Sequence, residues 1–128
     1  MKKAFVSLCT CLVFQTANSQ NISKATITTL PFSLMTIISI SNEAFENHFK
    51  KEKKSYEINK ANYKKLEELL HDSKTNSLTN VDVRGELLIA FDKNIIKKIF
   101  FDRFGHFYDG TKYFINKGLF DFILKKAG

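Results

Sequence analysis

The sequence predicts an α+β fold of two layers, in which an antiparallel β-meander carries about two or three helices on one face. Residues 83–91 alternate between the two faces of a strand with one buried side. Turn-forming residues at 92–94 and 109–110 separate the segments that follow. Residues 60–72 and 117–126 instead carry apolar side chains at helical spacing. We expect about three or four strands in the meander, plus one N-terminal strand.

Residues 1–19 have the pattern of a cleaved secretory signal peptide. Two lysines precede an uncharged apolar run, residues 4–14, and small residues follow at Ala17 and Ser19. We expect cleavage after Ser19 and a bacterial protein that is periplasmic or secreted. As a helix the run rises only about 16 Å, against about 30 Å of hydrocarbon, so no transmembrane segment is expected after cleavage. Lipid attachment at Cys11 and an uncleaved anchor are the alternatives.

Removal of residues 1–19 leaves a mature chain without cysteine. Cys9 and Cys11 both lie within the removed segment, so the mature chain is expected to fold without a disulfide. Residues 20–32 are predicted to be a flexible segment or an edge strand. Residues 33–128 are predicted to form a single α+β domain.

The positive charge of the chain comes almost entirely from lysine. The formal net charge is +7, and the only arginines are Arg84 and Arg103. Lysine lacks the planar fork with which arginine binds phosphate, so nucleic acid is not an expected partner. Attraction to an anionic envelope surface stays open as an alternative.

The first elements of the domain are predicted from short patterns. Residues 33–40 are apolar and rich in isoleucine, which is typical of a buried strand. Ser41 or Asn42 then offers an N-cap for a short helix. A second short strand is expected at residues 55–58.

Two longer helices each follow a capping residue. Asn59 can cap a helix over residues 60–72, and a polar loop is expected at 73–80. Asn116 can cap the closing helix over residues 117–126, which has a broad apolar face.

The segment 82–92 predicts a β-hairpin in a definite register. A turn follows it at 92–94, where Asn94 can adopt a left-handed conformation. The same register sets Arg84 opposite Asp102 on the other face, so we expect an ion pair across the strands. The paired residues on the buried face are Phe91 with Ile95, Leu87 with Ile99, and Gly85 with Phe101.

Two glycines punctuate the rest of the meander. Gly105 predicts a bulge or a sharp bend after the second strand of the hairpin. Asp109 and Gly110 predict a two-residue turn that joins residues 106–108 to residues 111–115.

Short motifs in residues 81–125 resemble small exported proteins of Bacteroidetes-type bacteria. The motifs are Asp82-Val83-Arg84-Gly85, Asp102-Arg103-Phe104-Gly105, Asp109-Gly110 and a final helix rich in Leu and Phe. The resemblance implies export and the meander, and it assigns no catalytic residue.

The aromatic side chains of the meander are the candidate binding residues. Several of them do not fit on the face that holds Leu87 and Ile99. Either the bend at Gly105 swaps the faces and buries them, or the sheet keeps an aromatic patch on its second side. The candidate binding residues are Phe100, Arg103, Phe104, His106, Tyr108 and Tyr113.

Patterns of metal and catalytic chemistry are weak in this chain. His48, His71 and His106 share no metal-ligand spacing, so no metal, cofactor or catalytic residue is assigned. We therefore expect a small non-enzymatic binding or inhibitor protein, of the immunity-protein kind, whose partner is another protein. The alternatives are an envelope-associated or small-ligand-binding module, and a hydrolase that uses His106 with a nearby carboxylate.

Overall fold

The computed structural model describes residues 21–75 and 77–127. The predicted signal peptide and its cleavage after Ser19 lie outside these residues. The strands are β1 (Ile22–Thr29), β2 (Lys54–Glu57), β3 (Lys74–Thr75), β4 (Gly85–Phe91), β5 (Ile95–Phe101), β6 (His106–Tyr108) and β7 (Tyr113–Ile115). The α-helices are α1 (Asn42–Asn47), α2 (Tyr63–Leu70) and α3 (Lys117–Ala127).

All the described strands belong to one antiparallel sheet, in the order β2-β1-β4-β5-β6-β7-β3. Strands β4 to β7 follow one another as a meander, which confirms the predicted α+β fold. The polar loop expected at 73–80 contributes β3, which closes the sheet beside β7.

Helices α2 and α3 pack on one face of the sheet and form the main core. Leu66 of α2 and Leu119 of α3 are fully buried against this face. The rings of Phe101, Phe107 and Phe114 lie beneath them and contact one another in sequence, with centroids 6.0 and 5.3 Å apart. These three side chains lie on the same face of the sheet in three successive strands. The alternation of side chains between the two faces is therefore unchanged by the bend at Gly105.

Helix α1 lies on the opposite face. Its Phe45 packs edge-on against Phe100, with ring centroids 6.4 Å apart. Phe100 and Phe101 point to opposite sides of β5, so this second cluster is separate from the main core. The side chain of Ser41 accepts a hydrogen bond from Ala44 N at 3.1 Å, which confirms the predicted N-cap of α1.

The predicted hairpin register is confirmed. Phe91 pairs with Ile95, and Gly85 pairs with Phe101. Lys93 and Asn94 both adopt left-handed backbone conformations in the turn, with φ of 69° and 62°. The short connection requires the left-handed conformation at Lys93 as well as at Asn94, where the sequence predicts it.

Two predictions for the start of the domain are wrong. Strand β1 is neither flexible nor at an edge, because it pairs with β2 on one side and β4 on the other. Residues 33–40 form no strand. The backbone of Leu34 and Ile40 bonds to the side chains of Arg84 and Asp82 instead of to another strand. A local apolar pattern does not reveal such distant partners.

The helical predictions hold with shifted boundaries. Asn59 caps a short 3₁₀ turn, Lys60–Asn62, and α2 itself begins at Tyr63. Strand β2 lies where a second short strand was expected. Among the described residues, no helix has the length and apolar character needed to cross a membrane.

Asn116 both caps α3 and ties it to α2. Its Oδ1 accepts a hydrogen bond from Leu119 N at 3.0 Å, and its Nδ2 donates to Leu69 O at 2.6 Å. The side chain is buried, so a residue without these groups leaves polar partners unsatisfied.

Replacing Asn116 with alanine should therefore lower the free energy of unfolding by about 2 kcal/mol. Urea denaturation followed by circular dichroism measures this. Asn59→Ala is the matched control, because it removes an exposed cap from a 3₁₀ turn and should cost no more than about 0.5 kcal/mol. Equal losses in the two variants would contradict the role assigned to Asn116.

Candidate functional site

The half of the second face that α1 does not cover carries a row of four aromatic side chains and one isoleucine. Cross-strand pairing places His106 opposite Ile115 and Tyr108 opposite Tyr113 on this face. Phe104, in the turn before β6, has 75% of its surface exposed. We call these five residues the aromatic patch.

The aromatic patch contains most of the predicted binding residues but excludes Phe100. Only 4% of the Phe100 surface is exposed, because Phe45 of α1 covers it. The faces are not swapped at Gly105; the sheet keeps aromatic residues on its second side. Arg103 is half-buried next to the patch, and within the described part of the chain its guanidinium makes no hydrogen bond or ion pair.

Asp102 organises the turn that presents Phe104. Its Oδ1 accepts hydrogen bonds from the backbone N–H groups of Phe104 at 2.8 Å and His106 at 2.9 Å. Its Oδ2 lies 2.7 Å from Nδ1 of His106. Gly105 allows the chain to reverse here with a φ of +88°, a backbone angle that residues with a Cβ rarely adopt. The turn holds the His106 and Phe104 rings 6.4 Å apart.

The predicted ion pair between Arg84 and Asp102 is wrong. Arg84 instead pairs with Asp82, with Nη2 2.9 Å from Oδ2. The strand register is as expected, but each carboxylate binds groups close to it in sequence. Asp82 binds Arg84, and Asp102 accepts hydrogen bonds from the backbone of its own turn. Aspartate side chains commonly make such bonds to nearby backbone, and strand alternation does not predict them.

Tyr108 and Tyr113 form the middle of the aromatic patch as a stacked pair. Their ring centroids are 4.6 Å apart and the ring planes differ by 26°. Both are half-buried, and the Tyr108 hydroxyl donates to Gly110 O at 3.0 Å. The connection between them has four residues rather than the two predicted, with Gly110 at a φ of +97°.

Asp109 fixes this connection through its side chain. Its Oδ1 accepts hydrogen bonds from Thr111 N, Thr111 Oγ1 and Lys112 N, all within 2.9 Å. Burial by itself would raise the pKa of the Asp109 carboxyl. The hydrogen bonds and the charge of Lys97 outweigh burial, so the pKa is lowered from its usual value of 3.8.

A lowered pKa in the folded state makes ionised Asp109 stabilising. The contribution is present above the unfolded-state pKa and is lost as the pH falls through the lower folded-state pKa. We expect wild type to be more stable than Asp109→Asn at pH 7, with the gap closing as the pH falls below about 4. Urea midpoints measured across this range test the prediction. A constant gap at every pH would contradict it.

The pair of Asp102 and His106 also has a chemical meaning. A carboxylate that accepts from Nδ1–H orients the ring and leaves Nε2 available as a base. In the described part of the chain no hydroxyl group hydrogen-bonds to His106. Among residues 21–75 and 77–127, no group of three or more His, Cys, Asp or Glu side chains is placed to hold a metal ion.

Sequence reasoning missed a second feature, an exposed apolar loop. We use this name for residues 34–40, which were expected to be a buried strand. Met35, Ile37 and Ile38 are almost entirely exposed, with Ile37 at the value of a free side chain. The signal in the sequence is the absence of charge in this segment, which suits an exposed apolar loop as well as a buried strand.

A cavity of about 350 Å³ lies beside the start of this loop. It opens between the end of β1, strand β2 and the last turns of α3. The residues around it include Pro31, Phe32, Lys54, Tyr56, Leu124 and Ala127. Nothing in the sequence pattern predicted it, because its walls come from three distant segments.

The fold and the patch thus define a small α+β domain with an open aromatic sheet face. No family model, curated protein or solved structure matches the chain. The resemblance to exported proteins of Bacteroidetes-type bacteria therefore stays a prediction.

Proposed function

We propose that this chain is a small exported binding or inhibitor protein without catalytic activity of its own, and that the aromatic patch recognises a partner protein. The observation that carries the proposal is the exposure of Phe104 beside the stacked pair of Tyr108 and Tyr113. Aromatic side chains on a fixed scaffold are the residues on which protein interfaces most often depend.

The rigidity of the aromatic patch supports this proposal. Asp102 holds the turn of Phe104 through two backbone hydrogen bonds, and Asp109 holds the turn between the two tyrosines. A surface that is already ordered pays little conformational entropy when it binds. Arg103, half-buried and without a partner among the described residues, adds a cation at the rim.

The positive charge and the predicted export of the chain support an exported partner with an acidic surface. The formal net charge is +7 for the full sequence and +5 without Lys2 and Lys3, which the predicted cleavage removes; this positive charge favours association with acidic proteins. Export is proposed from the lysines, the apolar run and the small residues of positions 1–19. An immunity-type inhibitor of a secreted enzyme would combine these properties.

Affinity capture with matched variants tests the proposal. The immobilised full chain is exposed to a bacterial periplasmic extract, and bound proteins are quantified for wild type, Phe104→Ala with Tyr113→Ala, and the control Ile96→Ala. Ile96 is an exposed residue of β5 outside the aromatic patch. We expect at least one protein that wild type and control retain and the double variant loses by about tenfold or more. Equal retention by all three would contradict the proposal.

A hydrolase is the second candidate, favoured by the 2.7 Å contact of Asp102 with His106. In that case His106 would act as a general base that activates water, with Asp102 orienting its ring. Ester hydrolysis by wild type and by His106→Ala distinguishes the two functions. Ester hydrolysis that is lost in His106→Ala would favour the hydrolase. Hydrolysis at the background rate by both wild type and His106→Ala would contradict the hydrolase function.

A further inference from the structure

We infer that the apolar loop is a docking element for an anionic lipid surface, separate from the aromatic patch. The loop belongs to a stretch without a charged residue between Lys24 and Glu43. Met35, Ile37 and Ile38 project from it with exposures of 86%, 103% and 78%. Exposed aliphatic groups of this size at one tip are uncommon on a monomer and indicate an interaction surface.

The base of the loop is held in place by a buried cation. Nη1 of Arg84 donates to Leu34 O at 2.9 Å, and Nη2 donates to Thr36 Oγ1 at 3.2 Å. Asp82 neutralises Arg84 and also accepts from Ile40 N at 2.7 Å. The tip is therefore presented by a fixed frame.

The loop also satisfies part of its own backbone. Leu34 N donates to Pro31 O at 3.0 Å, and the hydroxyl of Thr36 donates to Ile38 O at 2.9 Å. Backbone groups without partners are costly in a region without water. These bonds, with those from Arg84 and Asp82, suit a loop that enters the boundary of a bilayer.

Lysines flank the start of the loop. Lys54 lines the cavity beside Pro31, together with one carboxylate, Glu52. In sequence, the exposed Lys125 and Lys126 come between two other residues of the cavity wall, Leu124 and Ala127. Phe49 packs on the same cluster as Leu34, and the exposed Lys50 and Lys51 follow it directly. These charges are complementary to anionic headgroups.

The composition of the tip favours lipid over a protein partner. Energetic centres of protein interfaces are rich in Tyr, Trp and Arg, and the aromatic patch has that character. The tip instead holds only Met, Thr and Ile. One apolar insertion gives weak membrane binding, and a second signal from basic residues makes it stable, which is the combination found here.

A tryptophan reporter tests this inference, because the chain has no tryptophan of its own. Ile37→Trp and the matched control Ile96→Trp are made in the full chain and mixed with vesicles of phosphatidylcholine, with or without phosphatidylglycerol. We expect the emission of Ile37→Trp to shift to shorter wavelength with the anionic vesicles. The shift should weaken as salt rises, since exposed charges are screened within about 8 Å at physiological ionic strength. The Ile96→Trp emission should not change.

A second substitution measures the contribution of the tip. Adding Ile38→Ser to the Ile37→Trp chain should weaken vesicle binding by about tenfold or more, as expected for losing one inserted isoleucine. The inference is overturned if Ile37→Trp does not respond to anionic vesicles, if both reporters shift equally, or if neutral vesicles give the same shift. Both reporter variants contain residues 1–20. Vesicle binding through residues 1–20 alone would therefore affect the emission of both variants in the same way.

Discussion

Replacing Arg84 with methionine should lower the free energy of unfolding by about 3 kcal/mol, which is a large part of the stability of a small domain. Arg84 has 1% of its surface exposed and donates to Asp82, Leu34 and Thr36. Methionine fills a similar volume but leaves these acceptors without their donor. The loss is moderate for a buried cation because Asp82 reaches solvent, and because Nε of Arg84 lacks a partner among the described residues.

Chemical denaturation measures that loss, and limited proteolysis localises it. Chymotrypsin should cut Arg84→Met at Leu34 or Met35 faster than wild type, because the frame of the apolar loop is gone. Arg84→Lys is the matched control: it keeps the charge near Asp82 but lacks the fork that reaches the loop, so an intermediate loss is expected. Wild-type stability in Arg84→Met would show that this network contributes nothing to folding.

The second large effect is expected at Gly85, where alanine should cost about 3 kcal/mol. Gly85 lies opposite Phe101 in the sheet, and a Cβ at Gly85 would overlap the Phe101 ring. That ring is fully buried between Phe107 and Phe120, so it has nowhere to move. The glycine is required here for space, not for a special backbone angle.

A double-mutant cycle tests this explanation. Phe101→Leu should be less harmful in the Gly85→Ala chain than in wild type, because the smaller side chain makes room for the new methyl group. Gly118→Ala is the control, because alanine favours the helix and the close neighbour of its Cβ is the flexible end of the Leu69 side chain, at 2.9 Å. Asn116 Oδ1, at 3.9 Å, is at ordinary contact distance. Additive effects of Gly85→Ala and Phe101→Leu would contradict the steric argument.

The hairpin shows how much of the fold the sequence could predict. Alternation and the turn at 92–94 were enough to set Gly85 opposite Phe101, since a slip of one residue would reverse every side chain. Residues 33–40 show the limit. Their apolar pattern suits a strand, but Leu34 O and Ile40 N bond instead to the side chains of Arg84 and Asp82. Those partners lie more than 40 residues away, so no local pattern reveals them.

The candidate site was predictable in part, for a related reason. The second face of β6 and β7 follows from alternation, so Tyr108 and Tyr113 could be placed together. The burial of Phe100 depends on where α1 packs, which no local pattern gives. The partners of Arg84 and Asp102 depended on short-range competition for carboxylates, and cross-strand geometry alone chose the wrong pair.

The two outer strands of the sheet have a consequence for how copies of this chain behave in a concentrated solution. A free strand edge invites another chain to continue the ladder, and long, flat, apolar edges lead to fibres. Here the edges are β2, of four residues, and β3, of two, and each begins with an exposed lysine. Strand β1, the longest strand of the sheet, is shielded between β2 and β4. The molecule can therefore present apolar and aromatic surfaces to a partner while its sheet resists growing into a polymer.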